Sequence, residues 1–140
     1  MDARRNMVMV PATGIAALRA FYEEGLGWSN WGPASGMSVM YKLGTTILVF
    51  LNRAYLASES GISVADTPRS VWDVFVDGKG DVDSQMARAV AAGATITSPV
   101  RDRDAGLYSG CFTDPEGNGW ELVWSPHMGV AADGALTLGR

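Results

Sequence analysis

The sequence contains few of the residues that build disulfides and metal sites: one cysteine, Cys111, and one histidine, His127, in 140 residues. A single cysteine cannot form an intramolecular disulfide, and a single histidine cannot supply a multi-histidine metal site. The longest apolar run, at residues 47–51, is far shorter than the roughly 18 residues of a membrane-spanning helix. The N-terminal residues also lack the apolar core of a signal peptide. We therefore expect a cytoplasmic protein with no membrane partner.

Charged residues make up 19% of the chain, and neither sign dominates: 11 Lys and Arg stand against 15 Asp and Glu, for a net charge of −4. A basic surface that binds nucleic acid by charge is therefore not expected. Hydrophobic residues make up 47% of the chain, which is typical of a soluble globular protein and not of a disordered one. The length fits a single domain, which we assign to residues 1–140.

Residues 7–52, which we call module one, have the pattern of a strand, a helix and a hairpin. A strand at 7–10 is expected to stop at Pro11, because proline cannot donate a backbone hydrogen bond to a sheet. Behind Thr13, a plausible N-cap, apolar residues recur at helical spacing. Two strand-like runs at 37–43 and 45–51, separated by Gly44, then predict a tight hairpin. The helical stripe consists of Ile15, Leu18, Phe21, Tyr22 and Leu26 and is expected to end at Gly25 or Gly27.

The same order of elements returns at residues 70–125, which we call module two, after a segment at 53–69 that is expected to be a linker or flexible loop. A strand at 71–76 and a turn at 77–81 precede a helix, and strands follow at 94–97, 108–113 and 119–124. Turn formers fill residues 114–118. The apolar stripe of this helix is Val82, Met86, Ala89 and Val90, closed by Gly93. No role is predicted for the tail at 126–140.

The repeated order indicates an internal duplication. The alternative is an α+β domain in which similar elements recur by chance.

Three segments of this sequence resemble the vicinal oxygen chelate superfamily, which contains glyoxalase I, bleomycin-resistance proteins and extradiol dioxygenases. They are residues 7–22, MVMVPATGIAALRAFY, running on into EEGLGW; residues 71–93; and residues 112–122, FTDPEGNGWEL, which are the most specific. The likeness covers about residues 7–125. It implies an α+β fold of two βαβββ modules, whose curved mixed β-sheet encloses a ligand cavity and is flanked by helices.

The resemblance also implies where a metal would bind, with one ligand on the first and last strand of each module. Met7 and Val71 occupy the two positions that are usually histidine. The position in module one that is equivalent to Glu121 falls at residues 47–49, which are apolar. Because only Glu121 can bind a divalent cation, we predict no metal and no cofactor, and no glyoxalase or dioxygenase activity of the metal-dependent kind. His127 could in principle replace a ligand, but a tail position outside the site is the preferred interpretation.

The cavity lining follows from strand alternation once Glu121 is placed inward, as the resemblance suggests. Trp120, Leu122 and Trp124 would then face the helices. The lining is predicted to be mostly apolar with two acids, which suits an amphipathic aromatic or cationic ligand such as an antibiotic. The predicted lining residues are Met7, Met9, Ile47, Val49, Val71, Asp73, Phe75, Glu121 and Val123.

Two tryptophans, Trp28 and Trp31, follow the first helix in a loop where they could stack on a ligand at the cavity mouth. Packing in the core or at a dimer contact is the alternative, and it is preferred for Trp72, Trp120 and Trp124. Cys111 is interpreted as a buried structural thiol.

Asp73 and Glu121 form a candidate acid/base pair, because two carboxylates in an apolar cavity raise at least one pKa. The alternative is that a one-residue shift in register turns Asp73 outward.

These patterns predict a metal-free protein that binds and sequesters a small molecule, as a drug-binding resistance protein does. A homodimer is implied by the resemblance alone. The main alternative is an isomerase- or lyase-like enzyme that uses Glu121, with Asp73, as general acid and base. A third is an accessory protein that binds another protein through exposed tryptophans.

Overall fold

The computed structural model describes residues 6–33, 35–63 and 70–139. Module one forms a sheet of three strands. Strands β1 (Met7–Ala12), β2 (Ser38–Leu43) and β3 (Thr46–Asn52) lie in the order β1–β3–β2, with β1 parallel and β2 antiparallel to β3. The predicted hairpin around Gly44 is therefore present. The expected stop at Pro11 is wrong, since β1 continues to Ala12. Proline is accommodated because β1 has only one neighbour in the sheet order and the backbone nitrogen of Pro11 needs no partner on the other side.

The first helix carries the predicted apolar face but changes its winding. It begins as α1 (Ile15–Arg19) and continues as a π-helical segment, Ala20–Gly25. After it, Asn30 forms an isolated bridge with Tyr41, and the Trp31 N–H donates to the Met40 carbonyl at 2.8 Å. This bridge lies where a fourth strand of module one would run, so that strand is reduced to a single pair.

Module two repeats this arrangement with a full set of strands. Strands β4 (Val71–Phe75), β5 (Thr95–Asp102), β6 (Tyr108–Thr113) and β7 (Gly119–Trp124) lie in the order β4–β7–β6–β5, and β4 is parallel to β7. The helix of this module, Lys79–Ala91, begins inside the expected turn, and β5 is longer than predicted. The predicted α+β class with two repeated modules is confirmed.

The segment expected to be a linker is partly helical. Helix α2 (Arg53–Ser60) begins at the Asn52 N-cap, whose side-chain oxygen accepts the N–H of Tyr55 at 3.1 Å. Leu56 is buried. The loop prediction for residues 53–60 is therefore wrong, because the cap and one buried contact suffice for a short helix whose sequence has little periodicity. Residues 64–69 of this segment lie outside the described residues. We label the helix of module two α3.

The tail, for which no role was predicted, forms a hairpin of β8 (Met128–Val130) and β9 (Leu136–Leu138). Its turn contacts the β2–β3 turn, where a side chain on Gly134 would lie 3.4 Å from the Gly44 Cα. No helix within the described residues is long and apolar enough to cross a membrane.

A loop of module two caps the first helix of module one. The N-cap residue is Gly14 and no side chain of its own segment caps the helix, so the Thr13 prediction is wrong. Instead the Glu116 carboxylate accepts the N–H of Thr13 at 2.8 Å and also that of Gly14. The sequence offered no sign of this cap, because the two partners are about a hundred residues apart.

The same loop carries a buried carboxylate, Asp114, that ties the modules together. Its Oδ2 accepts the Tyr22 hydroxyl at 2.7 Å and the Asn118 side-chain amide at 2.8 Å. The Tyr22 oxygen in turn accepts the Trp120 indole N–H at 2.9 Å. Burial first, and then the Asp114 charge, raise the pKa of Tyr22 far above its usual range, so the phenol stays protonated and donates.

The core lies between the helices and the sheets. Tyr22 stacks on Phe50 at 5.3 Å between ring centroids and on Trp28 at 4.8 Å. The buried face predicted for α3 is wrong at Val90. This side chain is 44% exposed because it lies outside the face formed by Val82, Met86 and Ala89. The large buried core residues are Ile15, Leu18, Phe21, Tyr22, Val39, Tyr41, Leu48, Phe50, Val82, Met86, Phe112, Trp120 and Leu122.

Candidate functional site

Three polar side chains lie side by side across module two, and we call them the polar row: Asp73, Glu121 and Cys111. Asp73 of β4 is paired in register with Glu121 of β7, and Glu121 is paired with Cys111 of β6. Directly paired residues point to the same face of a sheet, so the three side chains are neighbours. The strand register therefore places Asp73 on the same face as Glu121, and not turned away from it as in the alternative.

The two acids influence each other. The pKa of Asp73 is raised, first by burial and then by the negative charge of Glu121 and a hydrogen-bonding interaction with its carboxyl group. Asp73 nevertheless retains substantial contact with solvent, so this shift is moderated by water. The result is a carboxyl that holds its proton to a higher pH than an ordinary aspartate does.

The thiol of Cys111 is half-buried and is held in its protonated form. Burial is the largest cause that raises its pKa, followed by the charge of Glu121, while Arg103 acts in the opposite direction. Since the thiolate is the nucleophile, this environment does not activate Cys111 for covalent chemistry. Cys111 was predicted to be buried, and it is only partly so, because β6 is covered by the helices on its other face alone. Its structural role stays a prediction.

Arg103 was missed by the sequence analysis and lies at the far end of the polar row. Its guanidinium donates to Ser98 Oγ at 2.9 Å and to Ser109 Oγ at 3.2 Å. Ser98 is paired with Cys111, which brings the cation to the same face. The loop that returns the chain from Arg103 contains Ala105 at a left-handed φ of 58°. A lone arginine near a turn carries no sequence pattern, so only the pairing of β5 with β6 could find it.

The corresponding row of module one is entirely apolar. Met9 of β1 is paired with Val49 of β3, and Val49 with Met40 of β2. Two apolar side chains on the first strand of this module, Met7 and Met9, are 47% and 54% exposed, and Val71 on the first strand of module two is 60% exposed.

The metal that the fold family implies does not fit these residues. The residues at the implied ligand positions are Met7, Val71, Glu121 and the apolar residues 47–49. Among these, only Glu121 offers an oxygen that binds a divalent cation well. Within the part of the chain that the structure describes, no group of three or more His, Cys, Asp and Glu side chains could hold an ion. His127 is exposed and follows the last strand of module two.

A cleft of about 730 Å³, which we call the main cleft, opens between strand β4, the β2–β3 turn and the tail hairpin. Three of the predicted lining residues border it, Val71, Asp73 and Phe75, and so does Trp28, which was predicted at the cavity mouth. The tail adds Val130 and Leu136, which the sequence analysis did not anticipate because the contact depends on how the hairpin folds back. The other lining residues are Val8, Lys42, Leu43, Gly44, Thr46, Leu48, Trp72, Val74, Trp120 and Gly134.

Trp120 was expected to face the helices, and both Trp72 and Trp120 were expected to pack in the core. Trp120 is buried in the core and Trp72 packs against it, but the main cleft reaches them as well. The reason is that β4 is the edge strand of its sheet, so a cleft beside it reaches residues on both of its faces. Alternation along a strand assigns faces but does not tell where a sheet ends.

Several predicted ligand residues lie away from the main cleft. Met7, Met9, Val49, Glu121 and Val123 do not border it, and Val123 is buried. Trp31 is 54% exposed and borders a separate, smaller pocket beside Tyr41. Trp28, by contrast, belongs both to the aromatic core and to the cleft wall, with its ring centroid 5.7 Å from that of Trp120.

Two sheets of matching strand order, each carrying a helix, together with a cleft along one edge strand, define the class of protein: an α+β member of the vicinal oxygen chelate superfamily. More narrowly, the chain belongs to the glyoxalase-like domain family, whose model matches residues 7–123. No curated protein matches the chain significantly.

Solved structures show the same fold. A glyoxalase-related enzyme from Fulvimarina pelagi has a TM-score of 0.90 and 25% sequence identity, over 99% of this chain and 99% of that chain. A glyoxalase/bleomycin resistance protein/dioxygenase family enzyme from Burkholderia phytofirmans PsJN has a TM-score of 0.75 and 22% identity, over 85% and 96%. Lactoylglutathione lyase from Agrobacterium tumefaciens has a TM-score of 0.67 and 21% identity, over 88% and 94%.

Proposed function

We propose that this protein binds an aromatic, amphipathic small molecule with a cationic group in the main cleft and sequesters it without a metal. The observation that carries the proposal is the wall of the cleft, where the aromatic side chains of Trp28, Trp72, Trp120 and Phe75 line the same space as one carboxylate, Asp73. Aromatic rings give a flat ligand a large apolar contact and attract a positive charge over their faces. A volume of about 730 Å³ is in the range of small-molecule sites.

Asp73 gives the site its preference for charge. A bound cation favours the ionised carboxylate, so binding opposes the causes that raise the pKa of Asp73 and releases a proton at low pH. Affinity is therefore expected to rise as the pH rises through that pKa. Lys42 also borders the cleft, but it is exposed, and a long lysine side chain can direct its ammonium group to water.

The experiment is a calorimetric titration with N-methylacridinium and with uncharged acridine as the matched probe. We expect saturable binding of both and tighter binding of the cation. Asp73→Asn should weaken binding of the cation about three- to tenfold and leave the affinity for acridine unchanged. Glu59→Gln, at an exposed acid on α2, is the control of equal charge change. Absence of saturable binding of either compound, or equal loss in the two variants, contradicts the proposal.

The pairing of Asp73 with Glu121 favours a second candidate function, an isomerase- or lyase-like reaction without metal. A carboxyl that holds its proton to a higher pH, as Asp73 does, can act as a general acid, and two carboxyls on one face can divide the acid and base roles. A panel of α-hydroxy carbonyl compounds in D₂O, followed by NMR, would detect carbon-bound proton exchange. Glu121→Gln should abolish that exchange while ligand affinity is kept, whereas a protein that only binds shows no exchange in either form.

We also propose that the protein works as a cytoplasmic homodimer and protects its host from an antibiotic. Three apolar residues on β1 and β4, Met7, Met9 and Val71, are about half exposed, and a second copy would remove them from water. Sedimentation velocity should give about twice the chain mass, and Met9→Lys should shift it to the monomer. A monomeric wild type would contradict the dimer but not the ligand site.

A further inference from the structure

We infer that a second cavity, on the helix side of the sheet, binds a short amphipathic monocarboxylate. This cavity has a volume of about 340 Å³ and lies between α3 and module two's sheet, and we call it the helix-side cavity. It goes beyond the proposed function, because that function uses the main cleft, whose lining differs from that of this cavity except at Trp28, Val74 and Trp120. Its lining residues are Tyr22, Leu26, Trp28, Val74, Gln85, Arg88, Ala89, Phe112, Trp120 and Leu122.

The interior of the helix-side cavity is apolar. Ala89, Phe112 and Leu122 are at most 5% exposed and contribute only hydrocarbon or aromatic surface. The Tyr22 hydroxyl is already engaged by Asp114 and Trp120. The body of a ligand there must therefore be apolar, and a volume near the lower end of the range for small-molecule sites requires a short chain.

The polar groups are confined to the mouth. Gln85 and Arg88 of α3 are exposed and border the cavity. The Arg88 guanidinium donates to the Gly25 carbonyl at 3.3 Å, and among the described residues no carboxylate lies within 4.0 Å of it. In the described ranges of the chain, the partner of this positive charge at the entrance is a neutral carbonyl, and a carboxylate is the group that an arginine fork binds best.

The Arg88 guanidinium lies against the end of the first helix. Gly27 has a φ of 75°, and a side chain there would lie 2.7 Å from Arg88 Nη2. Glycine therefore allows the guanidinium to approach the backbone and remain over the mouth. The π-helical segment Ala20–Gly25 supplies Tyr22 to the cavity wall. π-Helical turns are rare and occur frequently at functional sites.

The cavity and the main cleft share one wall, formed by Trp28, Val74 and Trp120. A ligand on either side would change tryptophan fluorescence. The variants must therefore separate the two sites, and the chain offers residues that border only one of them: Arg88 and Ala89 for the helix-side cavity, and Asp73 for the main cleft.

The experiment titrates the full-length protein with sodium octanoate, octyltrimethylammonium and 1-octanol, following tryptophan fluorescence and calorimetric heat. We expect saturable binding of octanoate, with the other two compounds at least about fivefold weaker. Arg88→Gln should weaken octanoate binding about five- to tenfold, and Arg88→Lys should restore most of it. Arg101→Gln, at an exposed arginine on β5, and Asp73→Asn should leave octanoate affinity unchanged.

A filling variant tests the location. Ala89→Phe should abolish octanoate binding while N-methylacridinium binding is kept; should it fail to fold, Ala89→Leu and NMR shifts of wild-type α3 amides on octanoate addition serve instead. Equal loss in Arg88→Gln and Arg101→Gln, equal affinity for all three octyl compounds, or no saturable effect of octanoate would overturn the inference. Loss of octanoate binding in Asp73→Asn alone would place the ligand in the main cleft and overturn it as well.

Discussion

Module one and module two pair their strands in the same way but place different chemistry on equivalent positions. The first strand of each module lies parallel to its last strand, so Met9 and Val49 correspond to Asp73 and Glu121. In module one this pair is apolar, and in module two it is a pair of carboxyls. The sheet geometry therefore does not need the acids, since module one forms the same register without them.

The loops that close the two modules differ as well. Module one closes β2 and β3 with a tight turn at Gly44, whereas module two closes β6 and β7 with a longer loop that carries Asp114 and Glu116. Both carboxylates reach residues of module one. Module two therefore supplies both the paired carboxyls, Asp73 and Glu121, and the tie between the halves.

The largest effect is expected from Asp114→Ala. This carboxylate is buried and accepts the Tyr22 hydroxyl, the Asn118 amide and two backbone N–H groups. Its removal leaves those donors without partners and should lower the free energy of unfolding by about 3 kcal/mol, as measured by urea denaturation. Asp104→Ala, at an exposed acid of the β5–β6 loop, is the control. A loss below about 1 kcal/mol would show that Asp114 does not tie the modules.

Glu116→Ala removes the cap that module two places on α1. Thr13 and Gly14 would lose the acceptor of their N–H groups, and we expect a loss of about 1 kcal/mol in the same unfolding experiment. Glu116→Gln keeps an acceptor oxygen and should lose less than Glu116→Ala does. Equal stability of the alanine variant and the wild type would mean that water satisfies the helix start equally well.

Two hairpin turns use the same left-handed backbone with different residues: Gly44 has a φ of 56° and Ala105 a φ of 58°. Alanine is strained in this region and glycine is not. Ala105→Gly should therefore raise the melting temperature, with a gain of about 0.5–1 kcal/mol after the greater unfolded-state entropy of glycine is included. Gly44→Ala should lower stability by about 1 kcal/mol. A change of the same sign in both variants would contradict the argument from φ.

The smallest effect concerns Asp73, whose pKa is raised in the folded protein. A raised carboxyl pKa favours folding below the unfolded-state pKa, and this contribution is lost as the pH rises through the folded-state pKa. Asp73→Asn should thus match the wild type at low pH and be more stable at neutral pH, by less than about 0.5 kcal/mol because water screens the exposed carboxyl.

NMR titration of the carboxyl carbon of Asp73 provides the sharper measurement. Glu121→Gln should lower the pKa of Asp73 toward the ordinary value, without reaching it, because burial is the first cause of the shift and remains. An unchanged pKa in that variant would show that the two acids do not interact.

Strong local patterns predicted most of the elements. The period of the apolar residues gave α3 and the first helix, and the β-rich runs around Gly44 gave the hairpin. Helix α2 was missed because its cap, Asn52, stands before a segment with a single buried residue, Leu56. The tail hairpin was missed because its strands are three residues long. Short elements have too few residues for a period to appear.

The candidate site was predicted less completely. Strand alternation placed Asp73 on the face of Glu121, but the main cleft follows the edge of β4 and takes Trp72 and Trp120 from the other face. Glu116, Arg103 and Arg88 were found only through partners far away in the chain or on another strand.

What the sequence determined by itself is the repeated order of elements and the scarcity of metal ligands, since a single histidine at position 127 excludes a multi-histidine site in any fold. Tertiary structure decided which carboxylates meet, where the cleft opens and which charges stand at its borders. The physical reason is the distance along the chain over which each property acts. Periodicity and composition depend on neighbouring residues. The Asp73–Glu121 pair, the Glu116 cap and the position of Arg88 at the entrance of the helix-side cavity depend on contacts between distant segments, which only packing brings together.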